Sequence, residues 1–278
     1  MLTLISLLAQ HGAPAAEAHV IGGANPLVVA GIIFVITYAV IMSEKFNRAV
    51  VALLGGGLMI LSGVLSQHAA VQAIDWNTIG LLTGMMIIVA VMQRSGVFQY
   101  LAIWSAKKVD AKPWGILVML SIVTAILSAL LDNVTTVLLI APVTLLITEE
   151  LEIAPYPFLF SEIIFSNIGG AATLIGDPPN ILIGSMVESV TFNDFLVHIA
   201  PIVPLVFIAT LLPIYILWGR KLYASDEARQ RVLDFRESEA ITDSKLLIKS
   251  LIVLVLVLVG FVLGHPMGIE PATVAMTG

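Results

Sequence analysis

Gly169-Gly170-Ala171-Ala172-Thr173-Leu174-Ile175-Gly176-Asp177-Pro178-Pro179-Asn180 interrupts sequence that otherwise reads as a membrane span. A second interruption, Asp132-Asn133-Val134-Thr135-Thr136, lies upstream in equally apolar surroundings. Non-helical backbone at membrane depth survives only where it is buried in protein or lines a cavity. An ionisable side chain at that depth is costly and is by default a functional-site hypothesis. The two breaks therefore decide both the fold and the place to look for a substrate.

Composition sets the class around them. Hydrophobic residues make up 59% of the 278 and charged residues only 12%, against about 25% charged in an ordinary soluble domain. Apolar runs fall at about 26–43, 49–66, 78–92, 113–131, 134–148, 155–190 (broken), 195–219 and 246–264. Several reach the roughly 20 residues that a helix needs to cross hydrocarbon. There is no cysteine, so disulfides and thiolate metal sites are excluded. No ATPase, haem, metal or nucleic-acid motif stands out, and no cofactor is expected beyond Na+ or H+ as a coupling ion. The net charge of −6 says little, because in a membrane protein the placement of Lys and Arg matters more.

That placement is asymmetric. Lys45 and Arg48 follow the first run; Arg94, Lys107, Lys108 and Lys112 follow the third. Arg220, Lys221, Arg229, Arg231, Arg236, Lys245 and Lys249 complete the 13 basic residues. With the N-terminus outside, every one of them is cytoplasmic if 113–148 goes out and back and 155–190 crosses once. The chain then belongs in a cell (inner or plasma) membrane as a multi-pass protein. The pair 113–148 reads as a re-entrant hairpin, because its tip has no Gly or Pro turn and no basic or aromatic anchor, and its arms look short and uneven.

The organisation expected is an extracytoplasmic tail at 1–25, then scaffold helices and an interfacial segment at 26–112. The hairpin at 113–148 and a broken helix at 153–190 follow. A transmembrane helix at 195–219, a solvated and partly helical cytoplasmic loop at 220–245, and a transmembrane helix with the start of another at 246–278 complete it. Residues 1–18 resemble a signal peptide without its positive n-region. Pro271–Gly278 reads as the opening of a further apolar helix, so the chain is read as the N-terminal half of a longer protein.

The breaks carry the chemistry. At the first, the second arm's N-terminus would aim backbone N–H groups and a positive dipole end at the tip. Asn133 adds an amide, and Thr135 and Thr136 add hydroxyls. The plainer alternative makes Asp132 or Asn133 an N-cap, with Thr136 satisfying backbone carbonyls. At the second, Gly169 and Gly170 permit close approach and unusual backbone angles. Asp177 before Pro178 is a helix-start signal, compatible with ion binding as well as capping. The result is a discontinuous helix, the device that places transporter sites near the midplane.

Glu162 is a third buried carboxylate, a candidate for proton coupling or a structural partner of a tip group. Glu188 and the five histidines (His11, His19, His68, His198, His265) read as interfacial polar residues near the outer side. Gly55-Gly56-Gly57 reads as a close-packing helix face, since no phosphate-loop Lys-Ser/Thr follows.

Leu131-Asp132-Asn133-Val134-Thr135-Thr136, followed by Leu138-Leu139-Ile140-Ala141-Pro142, resembles the hairpin-tip motif of the ion transporter superfamily. Ser166-Asn167-Ile168-Gly169-Gly170-Ala171-Ala172-Thr173 with Gly176-Asp177-Pro178-Pro179-Asn180 resembles its broken-helix motif. The wording is closest to the arsenite-permease (ArsB-type) and melanosomal P-protein branch, citrate-transporter-like or SLC13-type permeases. The tip is also similar to NhaD-type sodium/proton antiporters. The resemblance is sharp over about 113–190 and rests on hydropathy elsewhere.

It implies an all-α membrane fold of inverted repeats, each with a hairpin and a broken helix, working as a homodimer by elevator motion. The second repeat is expected outside this chain. The implied ion site comprises Asp132, Asn133, Thr135, Thr136, Asn167, Gly169, Gly170, Thr173, Asp177 and Asn180. A carboxylate stands where the dicarboxylate branch carries serine, which favours a cation or proton over a citrate-like ligand. The reading is a secondary transporter of an inorganic anion or arsenite, embedded in a lipid bilayer, with proton coupling. A sodium/proton antiporter, a di- or tricarboxylate carrier and a non-transporting half-protein are the alternatives.

Overall fold

The structure is a computed structural model that describes residues 20, 23, 25–187, 190–264 and 267–278. The signal-like segment, His11, His19, Glu188 and His265 lie outside the described residues. The chain is all-α, 77% helical, with no strand among the described residues. Among the described residues, four helices are long and apolar enough to cross a membrane, and five if one bent pair counts as a single span.

The chain divides into two compact units, Met1–Asp75 and Trp76–Gly278. In the first, α1 (Pro26–Met42) and α2 (Arg48–Leu61) start at Asn25 and Asn47, each accepting from a backbone amide two residues on. Asparagine suits that position because its side chain replaces a helical partner that the first amides lack. α1 and α2 pack where Gly55 meets Thr37; Gly56 and Gly57 face open space. The close-packing role expected of the glycine run thus falls to Gly55 alone. A short helix, α3 (Gln67–Gln72), is capped by Ser66.

The second unit begins with α4 (Trp76–Gln93) and α5 (Val97–Lys108). The pair α6 (Pro113–Leu130) and α7 (Asn133–Glu150) follows, joined only by Leu131 and Asp132. Both arms have 18 residues, about 27 Å of helix each. They are not uneven, because α7 continues through the acidic Glu149-Glu150 that ends the apolar run. α8 (Tyr156–Gly170) and α9 (Pro178–Met186) are separated by Ala171–Asp177. The core of this unit includes Ile116, Leu117, Leu120, Ile140, Ile147, Phe158 and Phe165. Large apolar side chains such as Val134, Leu138, Leu205, Ile208, Leu256 and Leu263 are exposed outside it, as a lipid-facing surface requires.

The single helix expected at 195–219 is two pieces bent by 54°, Phe192–Ile199 and Val203–Gly219, the second opening with α10 (Val203–Ile214). Pro201 and Pro204 supply no amide for the ladder at the bend. The amide of Ala200 instead reaches Phe195, five residues back.

The basic segment after α10 is partly helical, as expected, and keeps most of its charges exposed while one face docks on the unit. Its α11 (Asp226–Leu233) buries Ala228 and Val232. Arg231 reaches the Glu150 carbonyl at 2.7 Å and the Glu152 carboxylate at 2.6 Å. Lys107 on α5 donates to Glu237 at 2.6 Å and to the Phe235 carbonyl at 3.1 Å. Thr242 donates to the Arg94 carbonyl at 2.6 Å. The chain then runs through α12 (Ser244–Gly264) to α13 (Pro271–Thr277), which packs on α4.

Candidate ion site at the hairpin tip and helix break

The hairpin tip and the helix break meet. The Asn133 amide nitrogen donates to Asn167 Oδ1 at 2.9 Å and to Asp177 Oδ1 at 3.2 Å. One side chain at the start of α7 thereby joins the last turn of α8 to the residue before α9. Backbone follows the same course. Ser128 Oγ donates to the Ser166 carbonyl at 2.6 Å, and Thr173 Oγ1 to the Ala129 carbonyl at 2.6 Å.

Gly169 permits the approach. A β-carbon there would run into the backbone of Ala125 on α6. Neither Gly169 nor Gly170 adopts a positive φ, so the unusual backbone expected of the pair is absent. They complete the last turn of α8, and the chain leaves the helix one residue later.

The break is held by its own side chains. Thr173 Oγ1 accepts from the Gly176 amide at 3.1 Å, and the Asn180 amide nitrogen donates to the Thr173 carbonyl at 3.0 Å and the Gly170 carbonyl at 3.4 Å. These bonds satisfy backbone polar groups that the interrupted ladder would leave bare. Thr173 and Asn180 therefore shape the break, whereas Asn133, Asn167 and Asp177 meet at its edge.

The two aspartates behave differently. Asp132 caps α7, its Oδ1 accepting from the Thr135 amide at 2.7 Å. Asp177 occupies the cap position of α9 but makes no side-chain cap bond; its carboxylate takes the Asn133 amide instead. The two carboxylates are close enough for their like charges to interact.

Neither helix start offers a full set of amides. At α7 the Val134 amide is taken by Asn133 Oδ1 at 2.8 Å and the Thr135 amide by Asp132. At α9 the first two positions are Pro178 and Pro179, which have no N–H. The amide-rich tip expected from sequence is therefore largely spent. Thr136 also departs from expectation: its hydroxyl is buried without a hydrogen-bond partner and satisfies no carbonyl.

Glu162 stands apart. It is 1% exposed and accepts from Thr144 Oγ1 at 2.5 Å. Thr144 is eight residues beyond Thr136 on α7, so the partner is not a tip group. Sequence reasoning passed over both Thr144 and Ser128. Each lies on a helical repeat from a site residue, Thr144 at i+8 from Thr136 and Ser128 at i−4 from Asp132, and that periodicity was the available signal.

Apolar spans interrupted by a two-residue hairpin turn and a broken helix define a multi-pass membrane fold. The chain matches the family described as "Citrate transporter" over residues 38–278 and belongs to it. The ion transporter superfamily resemblance fits that assignment. The chain is 46% identical over 255 residues to an uncharacterized transporter of Mycobacterium tuberculosis, covering 90% of this chain and 59% of that protein. A "46 kDa membrane protein" of Mycobacterium leprae is 46% identical over 258 residues, with the same coverage of 90% and 59%. The P protein of Homo sapiens is 40% identical over 196 residues, 67% of this chain and 23% of that protein. The chain thus spans about 59% of the length of the mycobacterial relatives.

Proposed function

We propose that the protein is a secondary active ion transporter whose hairpin tip and helix break form half of an ion site that takes the coupling cation, Na+ or H+. The observation that carries this is the charge balance of the junction. Asp132 and Asp177 bring two carboxylates together with the amide groups of Asn133 and Asn167. The helix-start amides that would hold an anion are consumed or replaced by proline. A polyanion such as citrate would meet repulsion here, whereas a desolvated cation would meet oxygen ligands.

The substrate proposed is arsenite or a small inorganic anion, an anion being held away from the Asp132 and Asp177 carboxylates. Arsenite is an uncharged hydroxide near neutral pH and tolerates neighbouring carboxylates. The resemblance to the arsenite-permease and P-protein branch supports this choice, and the 40% identity to the human P protein supports the branch alone. A sodium/proton antiporter is the second reading, favoured by the same carboxylate pair. A di- or tricarboxylate carrier is the third, favoured by the family description.

In this reading α6 and α7 enter and leave the membrane on one face, and α8 with α9 crosses once. The basic segments are then cytoplasmic and the N-terminus outside. The other half of the site comes from a second repeat in a homodimeric, full-length protein. The test is flux by the full-length gene product in proteoliposomes, with arsenite, sodium, chloride, sulfate and succinate offered across a pH gradient. Arsenite or inorganic-anion flux driven by a sodium or proton gradient supports the proposal. Flux of succinate alone overturns the substrate choice, and flux indifferent to both gradients overturns the coupling.

A further inference from the structure

We infer that Glu162 is a proton-binding site inside the membrane, clasped between α7 and α8 and separate from the tip–break junction. The carboxyl is five residues from Asn167, roughly 7–8 Å along the α8 axis. It is six residues from Tyr156, where α8 begins. Its Oε1 accepts from Thr144 Oγ1, and its Oε2 is buried with no hydrogen-bond partner.

No cation faces it. The helices packed most extensively on α8 are α6, α7 and α10. α6 and α10 contain no Asp, Glu, Lys, Arg or His. α7 contributes Glu149 and Glu150 at its far end, with Glu150 already 3.4 Å from Arg231, and Asp132 at its start, capping Thr135. Trp218, in the π-helical turn Tyr215–Gly219 after α10, meets Tyr156 and Phe160 at the opening turns of α8. Tyr156 and Tyr215 are the titratable groups there, and Lys221 lines one cavity with Tyr156. None of these forms an ion pair with Glu162.

A buried carboxylate without a cation is among the most costly groups a protein can hold, and it neutralises itself by taking a proton. With Thr144 donating to Oε1, the proton resides on Oε2. The clasp also has a built-in weak point. Pro142, two residues before Thr144, withholds the amide that the Leu138 carbonyl would accept, so α7 bends most readily there. When α7 parts from α8, the proton passes to water, leaving the carboxylate solvated. Protonation at Glu162 does not depend on the proposed function, although its use in coupling rests on that reading.

Infrared spectroscopy on the full-length gene product in lipid bilayers tests this. The expected result is a carbonyl stretch from a protonated carboxylic acid at neutral pH, lost in Glu162→Gln and kept in Asp132→Asn and Asp177→Asn. Thr144→Val keeps the carboxyl and removes its donor, so the band should shift in frequency without disappearing. A wild-type protein with no such band, a band that persists in Glu162→Gln, or one that Thr144→Val leaves unmoved overturns the proposal. Should Glu162→Gln fail to insert, the Thr144→Val shift decides alone. The band is independent of which ion the tip–break junction takes, so failure of one reading is distinguishable from failure of the other.

Discussion

The hairpin tip and the helix break solve one problem in opposite ways. Both must turn a helix in apolar surroundings, and both put an aspartate at the start of the next helix. At the tip the turn is Leu131 and Asp132 alone, and Asp132 spends a carboxylate oxygen on the Thr135 amide. At the break the turn is the longer Ala171–Asp177, stabilised by Thr173 and Asn180, which leaves the Asp177 carboxylate to meet a side chain from another helix. Proline explains part of the contrast. With Pro178 and Pro179 opening α9, there is little for Asp177 to cap. A cap-position aspartate can therefore be structural or available, and the residues that follow it decide which.

Substitutions at the two aspartates should break or sharpen that contrast. The largest effect is expected from Asp177→Asn, which removes charge without a cap to lose. Sodium affinity, or proton affinity if the proton is the coupling ion, should fall about 10- to 100-fold, from roughly 1.5–3 kcal/mol for hydrogen bonds to charged groups. Ion-dependent flux in proteoliposomes checks this; an unchanged dependence would remove Asp177 from the site.

Next comes packing at the meeting point. Gly169→Ala should cost about 1–3 kcal/mol, because its β-carbon meets the Ala125 backbone. Gly56→Ala, facing open space, should be near neutral. Thermal unfolding in detergent measures both, and equal effects would argue against the close approach of α6 and α8. The Asp132 pair is subtler. Asn caps nearly as well as Asp, so Asp132→Asn isolates the charge, whereas Asp132→Ala should lose about 1 kcal/mol of capping besides. A stability difference between those two variants, absent at Asp177, would sharpen the comparison; no difference would deny Asp132 its capping role.

The smallest effect lies far from the junction. Hydrogen bonding from Lys107 holds the Glu237 carboxyl below the usual carboxylate range. A depressed acid contributes stability above its ordinary range and loses it as pH falls through the lowered value. The segment 220–245 should therefore become protease-sensitive only in strong acid. Lys107→Ala should move that onset to higher pH, as cleavage rates across a pH series would report.

Much of this was open to sequence reading. Hydropathy located the four helices long enough to span, because a span must be apolar over nearly its whole length, but it merged the bent pair at 192–219 and passed over α5. The family followed from the two break motifs. What hydropathy missed depends on register between helices. Glu162 meets Thr144 rather than a tip hydroxyl because of how α7 and α8 slide against each other, which neither sequence encodes alone. The docked segment 220–245 escaped because Ala228 and Val232 are few among many charges. The bend near Pro201 was legible in principle, since Pro201 and Pro204 stand close together in an apolar run.

We propose that the tip and the break close one cation half-site within the membrane. These 278 residues hold no cysteine, so Thr135→Cys is the one thiol in this part of the protein, and any cysteine elsewhere in the full-length protein is replaced first. In the full-length protein in sealed vesicles, a membrane-impermeant thiol reagent should label it from one side only, and sodium at constant pH, or low pH by more than it slows an exposed control cysteine, should slow the labelling. Labelling as fast as at a cysteine placed at the exposed His68, unaffected by either ion, would contradict the account.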